Sequence, residues 1–285
     1  MRFMLLIKAT QDFEKGVLPD EKMLSAMATY TEELIKAEAL VGCERLQPSS
    51  MGTRVHFARG QITVTDGPFA ETKELIAGFS LIEAASREEA IEWAKRVPFE
   101  EGEIEVRPLF ELTDFPADPA EQPDGWRDKE EQFRASVPAR KPGTIRYIGL
   151  VKGDKNTEAG VMPDEQFLCE MGGFMQEGIK AGVFLAGEGL QPSSTGARVR
   201  FSGSERMVTD GPFVETKELI AGYAILQFTS AAEALEWTKR FVEVDAPGRL
   251  NGECECEIRP VFEFESFGSS AAIDRFRKLE IGTKQ

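Results

Sequence analysis

Asp66-Gly67-Pro68-Phe69-Ala70-Glu71-Thr72-Lys73-Glu74-Leu75-Ile76-Ala77-Gly78 returns later in the chain as Asp210-Gly211-Pro212-Phe213-Val214-Glu215-Thr216-Lys217-Glu218-Leu219-Ile220-Ala221-Gly222, with one position changed. The register extends outward at a constant offset. Arg2 matches Arg146, Lys8 matches Lys152, and Pro19-Asp20-Glu21 matches Pro163-Asp164-Glu165. Leu46-Gln47-Pro48-Ser49-Ser50 matches Leu190-Gln191-Pro192-Ser193-Ser194, and Trp93 matches Trp237. After the tryptophans the second repeat carries extra residues around Asp245-Ala246-Pro247-Gly248, and Arg107-Pro108 then realigns with Arg259-Pro260. The chain is a tandem duplication. A period this long is not a solenoid unit, because each repeat can enclose a small core of its own.

Composition narrows the classes of function. A formal charge of −15 argues against nonspecific nucleic-acid binding, which needs a basic face. No apolar run is long enough to span a bilayer, and Met1–Lys8 is too short for a signal peptide and reads better as a strand, so a cytoplasmic location is expected. Cys43, Cys169, Cys254 and Cys256 do not correspond between repeats and form no repeated disulfide or metal pattern. Cys254 and Cys256 alternate onto one face of an expected strand, where a buried or edge strand explains them better than a metal. Neither a metal nor another cofactor is expected.

Each repeat reads as β-α-β-hairpin-β-α-β. Phe3–Ala9 is a buried strand, and Pro19-Asp20-Glu21 opens a helix whose apolar positions Met23, Leu24, Met27, Leu34 and Ile35 recur at helical spacing. Gly172-Gly173 and Gly178 weaken the matching helix in the second repeat, which suggests close approach to a neighbouring backbone. Three extended segments follow, Glu44–Gln47, Arg54–Phe57 and Ile62–Thr65, before the Asp66-Gly67-Pro68 break. Ile76–Glu83 is the next strand. Ser86 and Glu89 then form a capping-box pattern ahead of a helix, and Ile104–Leu112 closes the unit. This is an α+β sandwich of ferredoxin-like type. The expected boundaries are 1–112 for the first repeat, 113–144 for a Pro-rich linker with a short helix near Asp128–Arg134, 145–265 for the second repeat and 266–285 for a tail with a helix at Ser269–Leu279. An open sheet with helices on one side needs cover on the other, and the linker is long enough for the repeats to supply it to each other.

Asp-Gly-Pro-Phe-x-Glu-Thr-Lys-Glu, preceded by Glu-x-Leu-Gln-Pro-Ser-Ser, closely resembles the signature of the DGPF proteins, a branch of the YCII-related family. The resemblance covers nearly all of both repeats. It implies two ferredoxin-like domains paired as a dimeric α+β barrel inside one chain, around an interior cavity. It also implies a largely uncharacterised group whose parent YCII proteins use a His–Asp pair. This chain departs from that pattern, because His56 is its one histidine and Arg200 occupies the matching position. Members of the branch tend to be encoded beside extracytoplasmic-function sigma factors, so a sigma factor joins a small-molecule ligand among the expected partners. Pairing within the chain leaves either a pseudo-twofold monomer or a higher homo-oligomer.

The candidate site residues come in pairs. Asp66 and Asp210 are either proton-transfer acids or turn residues accepting backbone N–H groups. Glu71 and Lys73, with Glu215 and Lys217, share one face if extended, where the glutamate suits a general base and the lysine an anion. Otherwise they are a solvated edge. Arg54 and Arg198 suit carboxylate or phosphate binding if they face an enclosed space, and Glu44 and Glu188 follow the same logic. Arg107 and Arg259 read as strand-end or interdomain pairs, and Trp93 and Trp237 as core. No phosphate loop, nucleophile elbow or zinc cluster is present. Two hypotheses follow. One is a cofactor-free lyase- or isomerase-like enzyme on a small anionic or phenolic molecule, which needs a carboxylate inside an enclosed cavity. The other is a noncatalytic sensor or adaptor that binds a small ligand or a sigma factor, with the signature residues on an exposed rim or contact patch; the enzyme is the leading reading of the two, and a blander alternative to both is that the signature simply builds the interface between the repeats.

Overall fold

The computed structural model describes residues 1–70, 75–111, 114, 137–214, 219–263 and 270–279. The first repeat runs β1 (Arg2–Lys8), α1 (Gln11–Glu14), α2 (Glu21–Lys36), β2 (Leu40–Arg45), β3 (Thr53–Ala58), β4 (Gln61–Asp66), β5 (Ile76–Glu83), α3 (Arg87–Lys95) and β6 (Glu101–Pro108). The second runs β7 (Ile145–Lys152), α4 (Lys155–Glu158), α5 (Glu165–Ala181), β8 (Phe184–Gly189), β9 (Ala197–Ser202), β10 (Glu205–Asp210), β11 (Ile220–Phe228), α6 (Ala231–Asp245) and β12 (Cys254–Pro260). Helix α7 (Ala271–Lys278) follows. The expected helix at Asp128–Arg134 lies outside the described residues.

Local chemistry explains the elements. Strand β1 is apolar on both faces because both are covered: Phe3 and Leu5 pack in the cluster beneath the helices, while Met4 and Leu6 pack in the cluster between the sheets. Helix α2 starts two residues after its proline, which lies outside it. Asp20 is the N-cap, and its carboxylate accepts from the Met23 amide at 2.8 Å. Ser86 accepts from the Glu89 amide at 3.3 Å, while Glu89 reaches the Ala85 amide at 2.7 Å, so the box closes one residue early. A side chain at Gly172 or Gly173 would meet nothing within 4 Å; the close approach is at Gly178, where a Cβ would lie 3.2 Å from that of Phe184.

The sheets are wider than the expected four strands. Their orders are β10-β9-β6-β1-β5-β2 and β4-β3-β12-β7-β11-β8. Each repeat therefore sends its β3–β4 or β9–β10 hairpin into the other repeat's sheet. Val55 sits opposite Cys256, and Val199 opposite Ile104. The same crossings close the barrel. Past β2, Gln47 donates to the Pro260 carbonyl at 3.0 Å, and Phe262 donates to that of Arg45 at 2.7 Å. Past β8, Gln191 and Phe110 repeat the pattern with Pro108 and Gly189, at 2.9 and 3.0 Å.

The centre of the barrel is apolar. Met4, Leu6, Phe79, Leu81, Ile148, Leu150, Tyr223 and Ile225 form one buried cluster there, with the Phe79 and Tyr223 rings 5.5 Å apart. These apolar side chains line the middle of the barrel interior that the family resemblance implies. Trp93 is core as expected, and Cys254 and Cys256 are buried free thiols in the layer between β12 and α6. Helix α7 returns to the first repeat, where Arg275 holds Glu32 at 2.8 and 2.9 Å.

The signature turn is pressed against the preceding loop. The Gly67 amide donates to the Gly52 carbonyl at 3.0 Å, and a Cβ on Gly67 would lie 1.8 Å from the Ser49 carbonyl oxygen. At Gly211 the corresponding distance to Ser193 is 1.9 Å. The obstacle is backbone, so it cannot swing aside. Gly67→Ala and Gly211→Ala are each expected to cost about 3 kcal/mol or more, read as a lowered urea midpoint; a loss below about 0.5 kcal/mol would show that the turn does not sit there.

Candidate binding site at the exchanged hairpins

Where each exchanged hairpin meets its host sheet, charged side chains are taken out of water. On the β6 side Glu105, Arg107 and Lys8 are buried. Alternation along β1 and β6 turns them, like Met4 and Leu6, toward the barrel interior. Glu105 Oε1 accepts from Arg107 at 2.9 Å, and Oε2 lies 3.3 Å from Lys8 Nζ and accepts from Arg198 Nε at 3.1 Å. Arg198 comes from the other repeat, on β9. Its guanidinium lies 4.1 Å over the Phe213 ring of the signature, a cation–π contact that fixes its plane. Arg107 also donates to the Gln191 carbonyl at 3.0 Å and lies 3.5 Å from Glu158. Glu103 lies 3.6 Å from Arg198.

The pseudo-twofold copy repeats the plan. Glu257 Oε2 accepts from Arg54 Nε at 2.9 Å, and Arg259 Nε lies 2.9 Å from Glu257 Oε1. Arg54 covers the Phe69 ring at 4.1 Å. Glu14 and Glu158 serve the signature from below: each accepts from the amide and hydroxyl of Ser49 or Ser193, whose oxygen then accepts from the Phe69 or Phe213 amide at 3.1 Å. Phe69 and Phe213 therefore form the platform for an arginine.

Burial alone would raise the Glu105 carboxyl, but Lys8, Arg107 and Arg198 outweigh it and hold it at about 2. Glu105 is ionised at any physiological pH and too weak a base for proton abstraction. Glu44 shows the opposite balance. Burial pushes it up to about 7 despite Arg146, which it meets at the barrel seam; Arg146 also grips Glu263 at 3.0 and 3.1 Å. The matching seam pairs Glu188 with Arg2, and there Tyr223 Oη adds a donor at 3.2 Å that Phe79 cannot supply to Glu44.

The sequence candidates separate. Arg54 and Arg198 lie in the buried clusters, and Glu44 and Glu188 at the seams. Asp66 and Asp210 are exposed at strand ends, away from Glu105 and Glu257. Asp66 accepts from Thr53 Oγ1 at 2.9 Å, and Asp210, whose side chain is 73% exposed, pairs with Arg87. Glu71, Lys73, Glu215 and Lys217 lie outside the described residues. Sequence reasoning passed over Glu105, Glu257, Glu14 and Glu158 as site residues. Their signal is the return of Glu105-Val106-Arg107-Pro108 as Glu257-Ile258-Arg259-Pro260, and of Glu14 as Glu158 at the common offset.

The geometry defines a pair of interlocked ferredoxin-like α+β units with two equivalent charged joints. Residues 1–113 and 145–265 each match the YCII-related domain, and the chain belongs to that family. It is 36% identical over 93 residues, 32% of its own length and 75% of the other's, to an uncharacterised protein of Rhizobium meliloti (strain 1021). Among solved structures, a mutant chlorite dismutase from Candidatus Nitrospira defluvii is similar over 97% of this chain and 94% of that one, with a TM-score of 0.38 and 8% identity. Among the described residues no group of His, Cys, Asp and Glu is arranged to hold a metal ion, and no helix is long and apolar enough to cross a membrane.

Two substitutions test the electrostatics. Glu105→Gln leaves the buried Lys8 and Arg107 and the half-buried Arg198 without their central charge and is expected to cost about 3–5 kcal/mol; a urea midpoint near wild type would refute the arrangement. Glu44 has a folded pKa above its unfolded one. Its contribution to stability is full below the ordinary carboxylate value and is lost as pH rises through about 7. Glu44→Gln should therefore gain stability relative to wild type between pH 5 and pH 8 in thermal melts, while a constant difference across that range would contradict the raised carboxyl.

Proposed function

We propose that the protein is a noncatalytic receptor for a small anionic molecule, with one binding position at each exchanged-hairpin joint. The observation that carries this reading is the convergence of two arginines and a lysine on one buried carboxylate beneath the signature turn. The guanidiniums of Arg198 and Arg54, held flat by Phe213 and Phe69 and oriented by Glu105 and Glu257, are donors already ordered for an anion that competes for them, so little further ordering cost is added. Lys73 and Lys217, close behind those phenylalanines in sequence, are the natural further donors.

The apolar barrel centre and the exposure of Asp66 and Asp210 favour recognition over catalysis. An enzyme gains from a closed, water-free chamber, and Glu105 is too weak a base to drive proton transfer. In an enzymatic version of this reading, Glu71 and Glu215 would be the remaining bases. A ligand-responsive receptor also suits an adaptor role toward a sigma factor.

The test is calorimetric titration and thermal shift with a panel of mono- and dicarboxylates and inorganic phosphate. At least one anion should bind saturably and raise stability by about 2.7 kcal/mol at a hundredfold excess over Kd. The Arg54→Met/Arg198→Met double variant should lose that response. Absence of saturable binding across the panel would sink the reading, and consumption of the bound anion, followed by NMR, would replace it with an enzymatic one.

A further inference from the structure

The two exchanged hairpins end their sheets with strands of different chemistry. Among the described residues β4 and β10 each end one sheet, while the opposite ends, β2 and β8, run into the bonded barrel seams. A strand in that position presents unpaired N–H and C=O groups, and proteins that remain single guard such edges with charge, proline or bulges. Strand β10 begins Glu205-Arg206, and Arg206 is fastened across Phe201 with bonds to the Lys95 and Phe99 carbonyls at 3.3 and 3.0 Å. Strand β4 has Gln61 and Ile62 at those positions and carries one charge, Asp66, at its far end. Val64 is 39% exposed, and Thr63 and Thr65 are exposed too.

We propose that β4 is a homodimerisation edge, pairing antiparallel with β4 of a second molecule of this chain. The turn fixes which atoms are offered. Arg59 and Gly60 have φ of 52° and 75°, a two-residue turn with both residues left-handed, and Ala58 sits opposite Gln61. Such a turn makes Ala58 and Gln61 a hydrogen-bonded pair, so Thr63 and Thr65 bond inward to β3. Ile62 and Val64 then turn their N–H and C=O groups outward. Pairing centred on Thr63 sets Ile62 of one molecule against Val64 of the other, and Gln61 against Thr65. That arrangement forms four intermolecular backbone hydrogen bonds and matches apolar with apolar and polar with polar side chains.

Charge selects this pairing over its alternatives. In the same register Asp66 lies beside the turn of the second molecule, next to exposed Arg59. The equivalent pairing of β10 with itself brings Asp210 beside Glu205 and lacks a counterpart of Arg59, whose matching position is Gly203. Pairing β4 with β10 would set Asp66 beside Glu205 and would propagate as an open chain of molecules, where β4 with β4 closes as a dimer. The joint extends a device the chain already uses internally, the addition of a hairpin strand to an exposed sheet edge.

Light scattering coupled to size exclusion on the full chain, over a range of concentrations, tests the proposal. Wild type should run at twice 31.6 kDa. Val64→Pro removes an outward N–H without touching the β3 ladder and should run as a folded monomer, whereas Val208→Pro on β10 should remain dimeric. Arg59→Glu, at an exposed turn position, should raise the dimer dissociation constant about tenfold. A monomeric wild type at 100-fold dilution steps up to about 0.1 mM would overturn the inference. So would a dimer that survives both Val64→Pro and Arg59→Glu with circular dichroism unchanged.

Discussion

The buried carboxylate of Glu105, with Lys8 and Arg107 from its own repeat and Arg198 from the other, is the constraint around which the rest of the molecule is arranged. A charge taken so far out of water is tolerable only when it is paired and hydrogen-bonded on every side. Arg198 must therefore cross from its own repeat, and it can do so only on a strand laid against β6. The exchange of hairpins, the closure of the barrel beyond Gln191 and the stacking of Phe213 on Arg198 all keep that one requirement satisfied. Glu257, with Arg259 and Arg54, imposes the same requirement on the other side.

The pseudo-twofold relation is close in the joints and looser elsewhere. At the seams the two halves differ in a hydroxyl: Tyr223 gives Glu188 a donor that Phe79 cannot give Glu44, which meets Arg146. The outermost strands differ by the charge pair that β10 carries and β4 lacks. Differences of this kind concentrate where each half touches solvent or the barrel axis. The residues that hold the exchanged hairpin are nearly the same on both sides, because each joint has the same buried charge to neutralise.

Much of this was legible in the residues. Alternation and spacing indicate the order of the main strands and helices of the repeat, and duplication indicates that two such units cover each other; the second strand is misplaced, expected at Glu44–Gln47 after a helix reaching Gly42, whereas the helix ends at Lys36 and the strand is Leu40–Arg45. Strand exchange was not legible, because Arg54–Phe57 and Ile62–Thr65 read as a hairpin whichever sheet they join; local pattern specifies a strand and not its neighbour. The site was half legible. Arg54 and Arg198 stood out as paired cations suited to an anion in an enclosed space. Glu105 and Glu257 did not, because a glutamate in a strand ordinarily faces water, and its burial depends on cations contributed from distant positions. Asp66 and Asp210 drew attention as acids, yet the tightness of the turn resides in Gly67 and Gly211, whose missing side chains leave room for a neighbouring carbonyl.

The crossing hairpins also bear on how such a chain folds and diverges. Neither half has a complete sheet without a strand pair from the other, so the folding unit is the whole duplicated chain, and partial unfolding of one repeat removes the edge strands of its neighbour. Joining the two on one polypeptide makes their encounter intramolecular and independent of protein concentration. It also relieves each half of having to recognise an identical twin. A symmetric dimer would place any substitution in both joints at once; here His56 can stand opposite Glu255 while Arg200 stands opposite Glu103. The linker thus converts an enforced symmetry into an optional one, and leaves the two halves free to respond differently to the same surroundings.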